Sequence, residues 1–465
     1  MSSGQVGQDM TKGPLARALL IVAWPVMLSF LLHTLYNLAD AFWLGKLGKE
    51  ALAAPTITMN IIFIGISIAM GLGGAGTTLV SQYKGANRTK EMTRAGGQTL
   101  VLMMIVAVVI SALGLYFSRQ ILVLLQTPPD AFDQTLDYMR WILVGLPFMF
   151  AFFVYQGIYM GLGDSVGPLQ INLITVIINV ILDPILIFGF GPIPALGVVG
   201  AALATCFARL LASIIGLYRL FHGSRGFKLQ LADLAWDSRI IRKVLKVGVP
   251  MSLGQAGTSL GFTLLMGIVN TFGSAVVAAF GIGHRIIHMA MVPSMALSQA
   301  NATAVGQNLG ADQVERASRS VRDSVLMIGA VLLPITTITF FYGDVISSWF
   351  INDPEVIAYG RDLFRITSFS VFAFGFIMVL LGSFQGSGHT LPVMVLNVSR
   401  LWGVRIPFAY LLAIRMGMGP LGLWWAMFLS NIVTAIAATI WFSSGSWKRK
   451  IIDSEPAIQI SEPTE

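Results

Sequence analysis

Two aspartates stand where a carboxylate is costly. In LLHTLYNLADAFWLG, residues 31–45, Asp40 interrupts a long apolar run, and Asp183 does the same in INVILDPILIFG. A charged Asp at a bilayer centre costs about 2.5–3.5 kcal/mol on insertion scales, so acids inside such runs mark ion or proton pathways by default. Each has polar company at helical spacing. Ser29, His33, Tyr36, Asn37 and Asp40 form one stripe, and Asn172, Thr175, Asn179 and Asp183 form another. Thr205, in GAALATCFARL, falls at a similar depth in the run that follows. Carboxylates, an amide and a hydroxyl converging in low dielectric suit a hard cation such as Na⁺, with Asp40, Asn179, Asp183 and Thr205 as its ligands. They serve a proton equally well, because a carboxylate in low dielectric is also a proton acceptor. Tyr36, Asn37, Asn179 and Thr205 are supporting candidates. For Tyr36, Asn37 and Asn179, hydrogen bonding between helices explains the residue type as well as ligation does. Thr commonly bonds its own helix backbone, and His33 has an alternative role in packing against a neighbouring helix.

These residues need membrane helices to position them. Of 465 residues, 55% are hydrophobic and only 11% are charged, against about 25% charged in a soluble domain. Apolar stretches of about 20 residues, enough to cross about 30 Å of hydrocarbon, recur twelve times. They fall at 17–43, 51–80, 98–118, 136–160, 168–189, 196–220, 241–271, 275–304, 323–342, 357–384, 391–413 and 419–442. The first is too long for a cleavable signal and has no small-residue cleavage site after it. A lone cysteine, Cys206, rules out an internal disulfide. Twenty of the 22 acidic residues fall in loops, tails or span ends, which leaves Asp40 and Asp183 inside spans. The net charge of +8 does not signal nucleic acid, because the basic residues lie between spans. Lys84, Arg88, Lys90 and Arg94, then Arg239, Arg242, Lys243 and Lys246, then Arg316, Arg319 and Arg322 fall on the side of the termini. The positive-inside rule therefore puts both termini in the cytoplasm.

The chain repeats itself at an offset of 225 residues. Pro25 matches Pro250, Gly48 matches Gly273, and Gln82-Tyr83-Lys84-Gly85-Ala86 matches Gln307-Asn308-Leu309-Gly310-Ala311. Arg94, Gly163, Asn172 and Leu196-Gly197 match Arg319, Gly388, Asn397 and Leu421-Gly422. Six spans per half give both halves the same orientation, a parallel repeat of the kind seen in transporters. The expected organisation is a tail at 1–16, a six-helix lobe at 17–220, a basic linker at 221–240, a second six-helix lobe at 241–443 and a tail at 444–465. The fold class is an all-α membrane protein of twelve transmembrane helices in two lobes facing a cleft. Pro25, inside the first span, removes one backbone hydrogen bond and offers a bending point.

LYNLADAFWLGKLG, NVILDPILIFGFG and GAALAT resemble segments of the multidrug and toxic compound extrusion (MATE) family, and GIGHRI and GQNLGA extend the likeness into the second half. The span-7 segment VLKVGVPMSLGQAGTSLGFTLLMGIVNTFG has no acid and Asp362 lies at the mouth of span 10, so the pattern resembles the DinF-like branch, with its site in the first lobe. The resemblance implies coupling aspartates at Asp40 and Asp183, supporting polar residues at Tyr36, Asn179 and Thr205, and a bending proline at Pro25. It implies a cation-coupled antiporter, driven by H⁺ or Na⁺, that exports amphipathic and often cationic compounds from the cell by alternating access. It would work as a monomer in the plasma or inner membrane, with small organic substrates and the lipid bilayer as its partners, without cofactor or nucleic acid. His33 departs from the uncharged polar residue expected there. The 29 Phe and 22 Met suit varied apolar guests.

Two other functions would use different residues. A lipid-linked saccharide flippase of the same superfamily would use Arg285, Arg400 and Arg405, within second-lobe spans, to meet phosphate; the first-lobe acids would repel such a head group. A membrane enzyme has no support, since the sequence lacks HExxH and any metal-spaced cluster among five His and one Cys.

Overall fold

The computed structural model describes residues 7–223 and 226–452. The rest of both tails, and linker residues 224–225 with Arg225, lie outside the described residues. All twelve apolar runs are helical. In chain order they are α1 (Leu15–Gly45), α2 (Lys49–Gly85), α3 (Thr89–Tyr116), α4 (Phe132–Val144 continued by Leu146–Gly161), α5 (Val166–Phe188) and α6 (Val198–His222). The second half follows with α7 (Ser238–Asn270), α8 (Ser274–Gly310), α9 (Val314–Phe341), α10 (Pro354–Ser387), α11 (391–415) and α12 (Pro420–Ser443).

Two spans depart from simple α-helix. α4 bends by 42° at Gly145, just before Pro147, whose ring cannot continue the preceding turn. α11 alternates, with α turns at Leu391–Val398 and Ile406–Ala409 and π turns at Ser399–Arg405 and Tyr410–Arg415. The helix starts follow local chemistry. Asp237 and Asp353 cap α7 and α10 by accepting from backbone N–H groups of the first turn. Gly48 and Gly273, a repeat pair, precede α2 and α8 with φ of 128° and 91°, a conformation that favours glycine.

The repeat is visible bond by bond where the lobes meet. Gln82 Nε2 donates to the Gly386 carbonyl at 2.9 Å, and its counterpart Gln307 donates to Gly161 at 2.9 Å. Thr78 Oγ1 donates to the Gln385 carbonyl at 2.8 Å, and Thr303 to Met160 at 3.0 Å. Gly85 abuts Gln307, and Gly310 abuts Gln82. Every partner in each pair is displaced by 225 residues, so a pseudo-two-fold axis runs through this seam. The described parts of both tails reach it: Met10 N–H donates to Gln307 Oε1 and Ile451 N–H donates to Gln82 Oε1. This end is called the inner end, after the side on which the distribution of Lys and Arg is expected to place it. Toward the outer end, Ala51, Ala54 and Ile62 of α2 pack within the first lobe against Leu44, Tyr138, Ile142 and Ala201. The lobes are thus joined at the inner end by paired bonds, whereas at the other end the first turns of α2 pack within their own lobe.

The lobes also exchange helix halves. Leu15 to Val26 of α1 pack into one core with α8, α9 and α10, whereas Leu44 joins the first-lobe core. In α7, Ile240 to Val247 pack with α2, α3 and α4, while Leu265 and Val269 join the second-lobe core. The matched prolines, Pro25 and Pro250, lie in the inner half of each helix, before it changes partners.

Candidate functional site

The sequence-expected acids come together in the outer half of the first lobe. α1 supplies Asp40, α5 supplies Asp183 and Asn179, and α6 supplies Thr205. Asp183 and Asn179 are fully buried, and Thr205 is buried. The i to i+4 spacing on α5 lets Asn179 Nδ2 donate to Asp183 Oδ1 at 3.1 Å. The Asp40 and Asp183 carboxylates are close enough for their charges to interact. Tyr36 and Thr205 share a hydrogen bond of 2.7 Å between their hydroxyls, which ties α1 to α6 beside the acids.

The donor set fits a cation. Asp40 Oδ1, Asn179 Oδ1 and Asp183 Oδ2 are all buried without a hydrogen-bond partner. Buried polar atoms are normally satisfied, and here three oxygens at one depth are not. Hard oxygen donors of this kind suit a small monovalent cation or a proton. Among the described residues, no three His, Cys, Asp or Glu side chains gather as metal ligands do.

Two other candidates lie to the side. Asn37 pairs through its amide with Nδ1 of His33, one turn back on α1, at 3.1 Å, and His33 itself is exposed. Pro25 is buried inside α1, which runs through it as one helix.

Two further residues beside the acids, Arg209 and Tyr138, carry little signal in the sequence. Arg209, on α6, acts electrostatically on Asp40, Tyr36 and His33. Its Nη1 is buried without a hydrogen-bond partner. The available signal was its spacing, four residues after Thr205 and so on the same helix face. Tyr138, on α4, is buried and feels both carboxylates. It stands in the middle of the amphipathic stretch Phe132–Val144, in which no pattern separates it from core.

The second lobe has the opposite polarity at the related place. Position 408 is the repeat equivalent of Asp183. Near it, Arg400 and Arg405 on α11 are buried and bond to Asn431 and Ser430 of α12. Arg285, on α8, is exposed.

Comparison with known proteins agrees with this architecture. A "probable multidrug resistance protein YoeA" of Bacillus subtilis is 28% identical over 426 residues, 90% of this chain and 91% of the relative. An "FAD transporter" of Shewanella oneidensis is 28% identical over 428 residues, 92% of this chain and 94% of the relative. A crystal structure of a MATE protein in the bent conformation superposes with a TM-score of 0.89 at 25% identity, covering 96% of this chain and 99% of that one. The MatE family profile matches twice, at residues 25–185 and 250–411, once per lobe. The chain is a multi-pass membrane protein and belongs to the MATE transporter family.

Proposed function

We propose that this transporter is a cation-coupled antiporter that exports amphipathic, often cationic, organic compounds, driven by H⁺ or Na⁺ entering the first-lobe site. The observation that carries the reading is the trio of buried oxygens without partners, Asp40 Oδ1, Asn179 Oδ1 and Asp183 Oδ2. Kinship with proteins named for multidrug resistance supports the substrate class. In this reading it acts as a monomer in the cell membrane with both termini in the cytoplasm, an orientation that the distribution of Lys and Arg supports.

The chemistry follows from charge. Two carboxylates and the Arg209 guanidinium leave one negative charge uncompensated in low dielectric. One monovalent cation balances it, so the site takes one H⁺ or one Na⁺ per cycle. Asp40 and Asp183 lie in the outer half of α1 and α5, so the cation arrives from outside. Neutralising Asp40 and Asp183 removes the repulsion between α1 and α5 and lets Asp40, Asn179, Asp183 and Thr205 draw together. Tyr36 transmits that movement to α6 through Thr205. The cation-loaded state has the lower drug affinity, so entry of the ion expels the drug to the outside.

The test is efflux of a fluorescent organic cation from proteoliposomes with an imposed Na⁺ or pH gradient. Efflux should follow one or both gradients and vanish in Asp40→Asn and Asp183→Asn. Gradient-driven efflux that survives both substitutions would refute the assignment.

A further inference from the structure

The buried arginines of the second lobe are the strongest feature that cation coupling leaves unused. We infer that the second lobe holds an oxyanion-binding site, formed by Arg400 and Arg405 on α11 with Asn431 and Ser430 on α12, that takes the phosphate or carboxylate group of an organic anion.

The backbone builds the pair. In an α-helix, residues five apart point about 140° away from each other. The π turn at Ser399–Arg405 closes i to i+5 instead, which brings positions 400 and 405 to neighbouring places on one face. Both guanidiniums then reach the same acceptor. Arg405 Nη2 donates to Asn431 Oδ1 at 2.9 Å, and Arg400 Nη1 donates to it at 3.5 Å. Arg405 Nε donates to Ser430 Oγ at 2.8 Å. Asn431 is held in turn by donating to the Ser370 carbonyl at 3.2 Å.

Charge makes the arrangement a site rather than a brace. Arg400 and Arg405 are 6% and 7% exposed, and two cations buried together require compensation. Every hydrogen-bond acceptor they have is neutral, and the charge acting on Arg405 is that of Arg400, of the same sign. Among the described residues, no salt bridge reaches either one. Arg400 also leans on the Phe374 ring, 4.8 Å from its centroid, and its Nε is buried without a hydrogen-bond partner. Guanidinium forks match the paired oxygens of phosphate and carboxylate. The Phe374 ring beside them favours an anion carried on an apolar or aromatic body. This reading stands independently of the first-lobe cation site.

The experiment uses the full chain in phosphatidylcholine nanodiscs and compares binding of phenyl phosphate with binding of phenol. Phenyl phosphate should bind more tightly. The difference should shrink roughly ten- to hundredfold in Arg400→Gln and Arg405→Gln, the loss of a charge-assisted hydrogen bond. It should persist in Asp40→Asn, which separates this site from the coupling site. Asn431→Asp guards against arginine variants that fail to fold. It places a carboxylate between the two guanidiniums, so it should raise thermal stability and abolish the preference for phenyl phosphate. A repeat in phosphatidylglycerol nanodiscs identifies the source of the anion. Loss of phenyl phosphate binding there, restored to the phosphatidylcholine level only by returning to that lipid, assigns the site to a lipid head group. Unchanged binding assigns it to a soluble organic anion. Equal binding of phenyl phosphate and phenol in wild type in phosphatidylcholine, or a preference unaltered by Asn431→Asp, would overturn the inference.

Discussion

Asp40 and Asp183 each keep a carboxylate oxygen buried without a partner, and each should be indispensable. Asn preserves the shape and removes the charge. Asp40→Asn and Asp183→Asn, expressed at wild-type levels, should reduce drug resistance of the host cells to the level of cells without the transporter. Resistance near wild type would contradict the assignment. Arg209 carries a second expectation at this scale. Arg209→Met keeps much of the bulk and leaves the two carboxylates unbalanced by any nearby cation. Cation affinity should rise by about one to two orders of magnitude, given about 1.5–3 kcal/mol for interactions with a charged partner, and turnover should fall as the ion leaves more slowly. Na⁺ and H⁺ titration of binding, beside initial efflux rates, checks both. The acids were legible in the sequence because a charge inside an apolar run is conspicuous. Arg209 lies in an equally apolar run, but a cation at that position reads as another membrane-edge arginine until α6 is seen to pack beside α1. Tyr138 could not be read at all, since tyrosine is at home in many buried settings and only the meeting of α4 with the acids gives it a role.

Among the helices, α1 is the one placed to move. Its inner half belongs to the second-lobe core and its outer half carries Asp40 in the first. Pro25 interrupts its hydrogen-bond ladder within the inner half, leaving the Ile21 carbonyl without its usual donor. Pro25→Ala restores that bond. The variant should be as stable as wild type or more so, by about 1–3 kcal/mol given the cost of proline in a helix interior, yet transport more slowly. A thermal-unfolding measurement beside efflux rates checks the pair, and a Pro25→Ala protein with wild-type transport would make the proline a static kink. The twelve helices and the prolines were readable because length and hydropathy suffice for both. The π turns of α11 were not, because apolar periodicity over 391–413 is satisfied by either winding. What decides it is the α12 partner Asn431, more than twenty residues away, which holds both arginines.

The molecule as a whole is two lobes joined by a pseudosymmetric seam at the end that carries both tails. Gly85 and Gly310 allow the backbones to touch there, and a side chain at either position would press on the opposing glutamine backbone. Gly310→Val should therefore weaken the seam and favour the state open at the inner end. Spin-label distances between the lobes should lengthen at the inner end and shorten at the outer end relative to wild type, and unchanged distances would show that the seam does not control access. The 225-residue repeat made the two-lobe design visible in the sequence, and the matching bonds of Gln82 with Gln307 and Thr78 with Thr303 explain why those positions repeat. The exchange of helix halves was not visible, because each half of α1 is apolar enough to pack on either lobe. The central claim is that a cation at Asp40 and Asp183 lowers drug affinity, and linkage makes the effect reciprocal, with a coupling of about 1–3 kcal/mol corresponding to roughly 5–150-fold. The most direct measurement is drug affinity of the purified protein across pH and Na⁺ concentration, in wild type, Asp40→Asn and Asp183→Asn. Wild-type affinity should fall at low pH, at high Na⁺ or at both, as the cation loads the site, and the two variants should show a flat response. A wild-type affinity indifferent to both ions, or a response retained in both variants, would contradict the account.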